Sequence, residues 1–262
     1  LIRATTAQVI SHLEGKAAHI VLKGEPLAQE LFPDPMMRVS SDIDLLVLPG
    51  DLEYVAGLVA ELGFIAQQPW SAAHLSTTNQ WLFIHQEHGT ALELHWHVAS
   101  PALPELPLPR LFDSRRQLAL DQHQSAPVLD PGWQFIHLAL HFHQHRGFAR
   151  GLVDLAAWLD VHGESSDQQL IIERASQAGL HGIIQWPLHT MARLLFEQPP
   201  LFAAQVDQSV TLWSKLSERA LRGAMLRPSP GPSTRSLQEV RSPFPTPAGF
   251  ALGHATGDGN TW

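Results

Sequence analysis

Apolar positions along the first hundred residues recur with two different periods, and the switches between them mark elements. "HIVLKG" (19–24) is a short apolar run ended by a glycine, the pattern of a buried strand. "EPLAQELF" (25–32) follows with helical spacing, and Pro26 suits a first helical turn. "DIDLLVL" (42–48) reads as a strand closed by Pro49-Gly50. "DLEYVAGLVAELGF" (51–64) spaces Leu52, Val55, Leu58, Val59 and Leu62 as an amphipathic helix, with Asp51 as its cap and Gly63 as its stop. "QWLFIHQEHGTALELHWHV" (80–98) alternates, and predicts a hairpin turning at His88-Gly89. Residues 1–100 therefore predict helix, strand, helix, strand, helix and hairpin, a unit built around a mixed sheet.

"PALPELPLP" (101–109) breaks the pattern, and 101–132 is expected to be a proline-rich linker and connecting segment. From Trp133 the spacing is helical, as in "WQFIHLALHFHQH" and "FARGLVDLAAWLDVHG", and predicts a helical domain over 133–227. Residues 228–262 turn rich in proline and glycine, the composition of a tail without stable structure. The expected fold class is α+β: an α/β mixed-sheet N-terminal domain followed by an all-helical C-terminal domain.

Composition narrows the chemistry. A chain of 262 residues can hold one large or two modest domains. It has no cysteine, which excludes disulfides and thiolate metal sites. The net charge of −8 argues against an extended nucleic-acid surface, so a nucleotide partner is expected to be small or metal-bridged. No apolar run has the length of a membrane span, and residues 1–20 lack a signal-peptide pattern. The expectation is a cytoplasmic protein without a membrane partner.

Two aspartates, Asp42 and Asp44, stand one residue apart at the mouth of the strand 42–48, an element that disfavours aspartate. Strand geometry turns both to one face, opposite Ile43. Their repulsion is relieved by a cation between them, so the pair suggests a divalent-metal site; a solvated strand entry is the plainer reading. In "TALELHWHV", Leu92, Leu94, Trp96 and Val98 share one face, while Glu93, His95 and His97 share the other. A strand bringing Glu93 beside the two aspartates would complete a carboxylate triad suited to Mg2+ or Mn2+ and phosphate. Crowding of this kind predicts that Asp44→Asn stabilises the metal-free fold. Gly24 sits at a strand-to-helix junction where backbone N–H groups can meet a phosphate, with Lys23 beside it as a point charge.

These segments resemble a known family. "VLKGEPLAQELFPDPMMRVSSDIDLLV", "LELHW" and "HLALHFHQHRGFARGLVDLAAWL", in that order, are similar to the uncharacterised nucleotidyltransferase family of bacteria, within the polymerase-β-like superfamily. The resemblance covers about residues 5 to 200. It implies that Asp42 and Asp44 are metal ligands and that Glu93 is the third carboxylate, helping to activate the attacking hydroxyl. It places Gly24, Lys23, Arg38 and Ser41 near the triphosphate of an NTP. It implies transfer of a nucleoside monophosphate to an acceptor hydroxyl on a small molecule, a protein or an RNA end. The sequence departs from the wider superfamily at Gly24-Glu25, where Gly-Ser or Gly-Gly is usual, and in the inserted "FPDPMMRVSS". A non-catalytic, antitoxin-like or assembly member of the same fold is the alternative.

The helical segment adds another cluster. His137, His141 and His145 are four apart and share a helix face, a spacing that can bind zinc. No His-Glu-x-x-His pattern accompanies them, so they are read as a polar face lining a cleft rather than as a histidine-metal hydrolase. His95 is a further candidate cleft residue. Asp154 lies among apolar neighbours and needs a partner such as Arg146 or Arg150, either as a structural pair or as a contact for a substrate hydroxyl.

Overall fold

The computed structural model describes residues 1–71, 73–101, 103, 105–145, 149–162 and 167–194. All belong to one compact unit. Four helices and five strands form the first part of the chain in the order α1 (Ile2–Leu13), β1 (His19–Val21), α2 (Glu25–Leu31), β2 (Asp42–Val47), α3 (Leu52–Glu61), β3 (Phe64–Ala66), α4 (His74–Thr77), β4 (Gln80–His85) and β5 (Ala91–His95). The chain continues through α5 (Leu108–Asp113), β6 (Arg116–Ala119) and β7 (Ser125–Val128), then α6 (Pro131–Gln144), α7 (Ala149–His162), α8 (Asp167–Gln177) and α9 (His181–Leu194).

The seven strands form one mixed sheet in the order β3-β4-β5-β2-β1-β7-β6. Strand β2 runs antiparallel to β1 and parallel to β5, and β1 runs parallel to β7. One face carries the core. Ile43, Leu45 and Val47 of β2, with Leu92, Leu94 and Trp96, pack against Val9, Ile10 and Leu13 of α1 and Val55 and Val59 of α3. The alternation of β2 and β5 therefore sends Asp44, Glu93 and His95 to the opposite face.

The expected elements before residue 100 are present, with β3 and α4 in addition and one local difference. Asp51 stands at the N-cap of α3 but makes no side-chain cap bond; the turn of 3-10 helix over Pro49–Asp51 leads into the helix instead. The β4–β5 hairpin turns where expected, and Gly89 adopts φ +70, a left-handed conformation open to glycine. The segment 101–132, expected as linker and connection, contributes α5 and two strands that extend the sheet on the far side of β1. Its short strands and prolines hid it: Pro127 lies within β7, and only Val21 and Val128 pair between β1 and β7. From Pro131 the architecture changes to helices, within the same compact unit. Asp130 caps α6 by accepting from the Trp133 N–H at 3.1 Å. The expected tail, 228–262, lies outside the described residues.

Candidate functional site

The site is built on the polar face of the β2–β5 pair. Parallel register places Glu93 directly across from Asp44, and His95 across from Leu46. Side-chain periodicity then brings Asp44, Glu93 and His95 together. One ligand atom from each lies within 4.8 Å of the others, the convergence a metal ion needs. Asp42 lines the same cavity and stands outside this tighter trio. Its Oδ1 accepts from the Ser41 hydroxyl at 3.2 Å.

Asp44 is fully buried and holds two cationic partners on one oxygen. Lys23 Nζ lies 3.1 Å from Oδ1, and His95 Nε2 donates to the same atom at 3.1 Å. His95 Nε2 also lies 3.4 Å from Glu93 Oε2, and its Nδ1 is 3.4 Å from the Asn79 amide. Asp44 Oδ2 is buried without a hydrogen-bond partner among the described residues.

Electrostatics separates the two aspartates. Burial raises the Asp42 carboxyl above its ordinary range, and the Asp44 charge raises it further against the opposing pull of Lys23. Burial alone would raise Asp44 as well. The hydrogen bond from His95 and the charge of Lys23 overcome it and hold the Asp44 carboxyl well below the usual carboxylate range. His95 is raised in turn: burial opposes its charge, but the Asp44 and Glu93 carboxylates prevail.

This donor set fits a hard divalent cation. It offers carboxylate oxygens from Asp44 and Glu93, a third carboxylate on Asp42, and an orphaned buried oxygen, Asp44 Oδ2. His95 was expected only as a cleft residue, and the register puts its imidazole among the candidate ligands. The signal was present in the sequence, since His95 shares the period-two face of Glu93. Asn79, which reaches His95 from just before β4, carried no such signal.

The expected phosphate-facing residues divide. Gly24 caps α2 at φ +79, and a Cβ there would meet the Asp42 carbonyl and the Ser40 hydroxyl at 3.7 Å. Lys23, Gly24, Ser41 and Asp42 all line one cavity of about 420 Å³. Arg38 also reaches this cavity, but its guanidinium is committed elsewhere. It donates to Asp154 through Nε at 2.7 Å and Nη2 at 2.9 Å, and through Nη1 to the Gly24 carbonyl at 3.2 Å. Arg38 thus ties α7 and the Gly24 turn to the entry of β2. It is also the partner that Asp154 requires; Arg146 lies outside the described residues.

The far wall of the cavity comes from α6 and α7. His141 Nε2 accepts from Lys23 Nζ at 3.2 Å. Burial and the neighbouring Lys23 charge push the His137 and His141 imidazoles down to about 3 and about 2. His137, His141 and His145 follow one another along α6, with ring centroids 6.2 and 4.3 Å apart. They do not converge as a ligand set; among the described residues the group that does is Asp44, Glu93 and His95.

No curated protein matches the chain. Among solved structures, lincosamide antibiotic adenylyltransferase LnuA with lincomycin bound is 14% identical, with 61% of this chain and 95% of that chain covered at a TM-score of 0.42. The antibiotic-resistance factor ANT(2'')-Ia is 13% identical, with 69% and 96% covered at a TM-score of 0.47. An antigenic nucleotidyltransferase-like protein from Paracoccidioides brasiliensis is 15% identical, with 70% and 92% covered at a TM-score of 0.41. A family model matches residues 1–196, three quarters of the sequence: the chain belongs to the uncharacterised nucleotidyltransferase family.

Proposed function

We propose that the chain transfers a nucleoside monophosphate from an NTP to an acceptor hydroxyl, with Mg2+ or Mn2+ as its cofactor. The observation that carries this reading is the pairing of buried Asp44 with Glu93 across β2 and β5, with Glu93, Asp42 and Lys23 lining one cavity. In the transfer, the acceptor oxygen forms a bond to the α-phosphorus. The bond from that phosphorus to the bridging oxygen of the β-phosphate breaks, and pyrophosphate leaves with the bonding pair. A divalent cation, when bound, neutralises charge on the phosphates and lowers the pKa of the attacking hydroxyl.

The protein's own groups supply position and charge. Asp42 and Asp44 hold the cation, and Glu93 accepts the proton of the acceptor hydroxyl. Lys23 pairs with Asp44. With a divalent cation on that carboxylate, the Lys23 ammonium would be free to meet a phosphate oxygen. Gly24 and Ser41 line the approach to the triphosphate. Arg38 keeps the turn in place through Asp154 and the Gly24 carbonyl.

Glu25, the residue that departs from the superfamily pattern, is consistent with catalysis. Its carboxylate pairs with Arg3 at 2.6 Å, so its charge is compensated beside the phosphate approach. The test is nucleotide binding with and without Mg2+, comparing the native chain with Asp42→Asn/Asp44→Asn. Mg2+-dependent binding that the double variant loses supports the reading. Equal binding by both proteins removes it.

A further inference from the structure

The wall opposite the carboxylates has no task in the transfer just described. His137 of α6 lines the cavity, is only 2% exposed, and among the described residues neither ring nitrogen makes a full hydrogen bond, with the Val98 backbone the polar group that influences it. A buried imidazole with both nitrogens unmet is costly unless a ligand supplies the partners. Beside it stand His141, Gln144 and His145, with Arg150 exposed on α7.

The chemistry of this wall is specific. Burial holds His137 and His141 neutral; the His137 ring offers one donor and one acceptor, while His141 Nε2 already accepts from Lys23 Nζ at 3.2 Å. The Gln144 amide also offers both. Asp154, the one carboxylate that the described part of this wall contributes to the cavity, is consumed by the two-pronged contact with Arg38. Arg150 adds a cation on this side, and the neighbouring Lys23 is paired with Asp44. A polyamine would lose water here and meet no free carboxylate on the wall. A hydroxyl both donates and accepts, which matches a neutral imidazole.

We propose that the α6 histidine wall is the acceptor subsite, and that the acceptor is an uncharged, hydroxyl-rich molecule of the sugar or cyclitol class. This inference rests on the nucleotidyl-transfer reading for the identity of the ligand as acceptor. The hydroxyl to be modified would face Glu93, and its neighbours would bind His137 and Gln144.

The test uses the full chain with Mg2+ and reads two quantities separately. ATP binding is measured by calorimetry. Binding of the neutral probes glucose and myo-inositol, and of an aminoglycoside as polyamine probe, is measured by saturation-transfer NMR. The expected result is that a neutral probe binds and the aminoglycoside does not. His137→Leu then weakens the neutral probe about fivefold or more, the loss of at least one hydrogen bond, and leaves ATP affinity within about twofold. His137→Gln, which keeps a donor and an acceptor, retains most of the binding. If His137→Leu fails to fold, Gln144→Leu on the same wall gives the same reading. Preference for the aminoglycoside, failure of both neutral probes to bind, or indifference to the wall variants overturns the proposal. Neutral-probe binding that depends on His137 without any ATP binding keeps this subsite and removes nucleotidyl transfer. Transfer of nucleotide to the aminoglycoside alone does the reverse.

Discussion

Asp44 and Glu93 face each other across a parallel pair of strands, and the buried Asp44 carboxylate is already neutralised from within by Lys23 and His95. The site is thus a set of compensated charges in which Asp42 is the group left crowded.

That arrangement reverses the simple expectation from crowding. Asp44→Asn leaves the Lys23 ammonium and the His95 imidazole without their carboxylate and should destabilise the metal-free fold, by on the order of 3 kcal/mol. Asp42→Asn should instead raise the melting temperature at pH 7, because the folded protein already disfavours charge at Asp42. Both changes should reduce nucleotidyl transfer by a hundredfold or more, roughly the several kcal/mol of a metal-mediated contact. Thermal denaturation without metal, beside a transfer assay, separates the effects; stabilisation by Asp44→Asn would contradict the ion pairing described here.

Cation binding should release protons. Asp42 has a raised carboxyl pKa and His95 a raised imidazole pKa, and both must be deprotonated to act as ligands. Mg2+ affinity should therefore increase with pH across the range where these groups titrate. Calorimetry in two buffers of different ionisation enthalpy measures the release directly. Identical apparent enthalpies in the two buffers would speak against a shared site.

Acid should unfold the protein through its buried histidines. His137, His141 and His143 titrate at about 3, 2 and 4 when folded, against 6.5 in the free side chain. Below pH 6.5 the unfolded chain takes up these protons and the folded chain does not, so stability falls as pH falls from 6.5 towards 4. Glu30 acts at lower pH: its depressed carboxyl, held by His162, Gln134 and Arg116 against the cost of burial, contributes stability that is lost as pH falls below 4.5. His95, with its raised pKa, acts in the opposite sense: its contribution is complete below 6.5 and is lost as pH rises through the folded value. Urea midpoints measured between pH 7 and 4 should decline, and His143→Gln should flatten the decline. An unchanged slope in that variant would exclude His143 as a contributor.

Breaking the Arg38–Asp154 pair should cost more than replacing it. Both side chains are buried, and the guanidinium forks onto both carboxylate oxygens. Arg38→Ala or Asp154→Ala leaves an uncompensated buried charge and should destabilise by about 3–5 kcal/mol. The double variant Arg38→Met/Asp154→Leu should recover much of that loss. It should still weaken nucleotide binding, because the Gly24 carbonyl loses its anchor. Full nucleotide affinity in the double variant would deny Arg38 its positioning role.

The sequence by itself determined the elements that alternate strongly. "DIDLLV" fixes a strand whose two aspartates share a face, and "LELHW" fixes a second whose Glu93 and His95 share a face, because side-chain direction follows from strand period alone. It also determined the family. Tertiary structure decided which strand lies beside which. Only the parallel β2–β5 register joins Asp44 to Glu93, and nothing local in either strand encodes that neighbour. The same holds for long-range partners: Arg38 and Asp154 are 116 residues apart, and Lys23 and His141 are 118 apart. The strands β6 and β7 escaped the sequence pattern because each is four residues long, too short for periodicity to show, and β7 also carries Pro127. His137 and His141 are buried beside Lys23, and the row lines the cavity wall without converging as Asp44, Glu93 and His95 do.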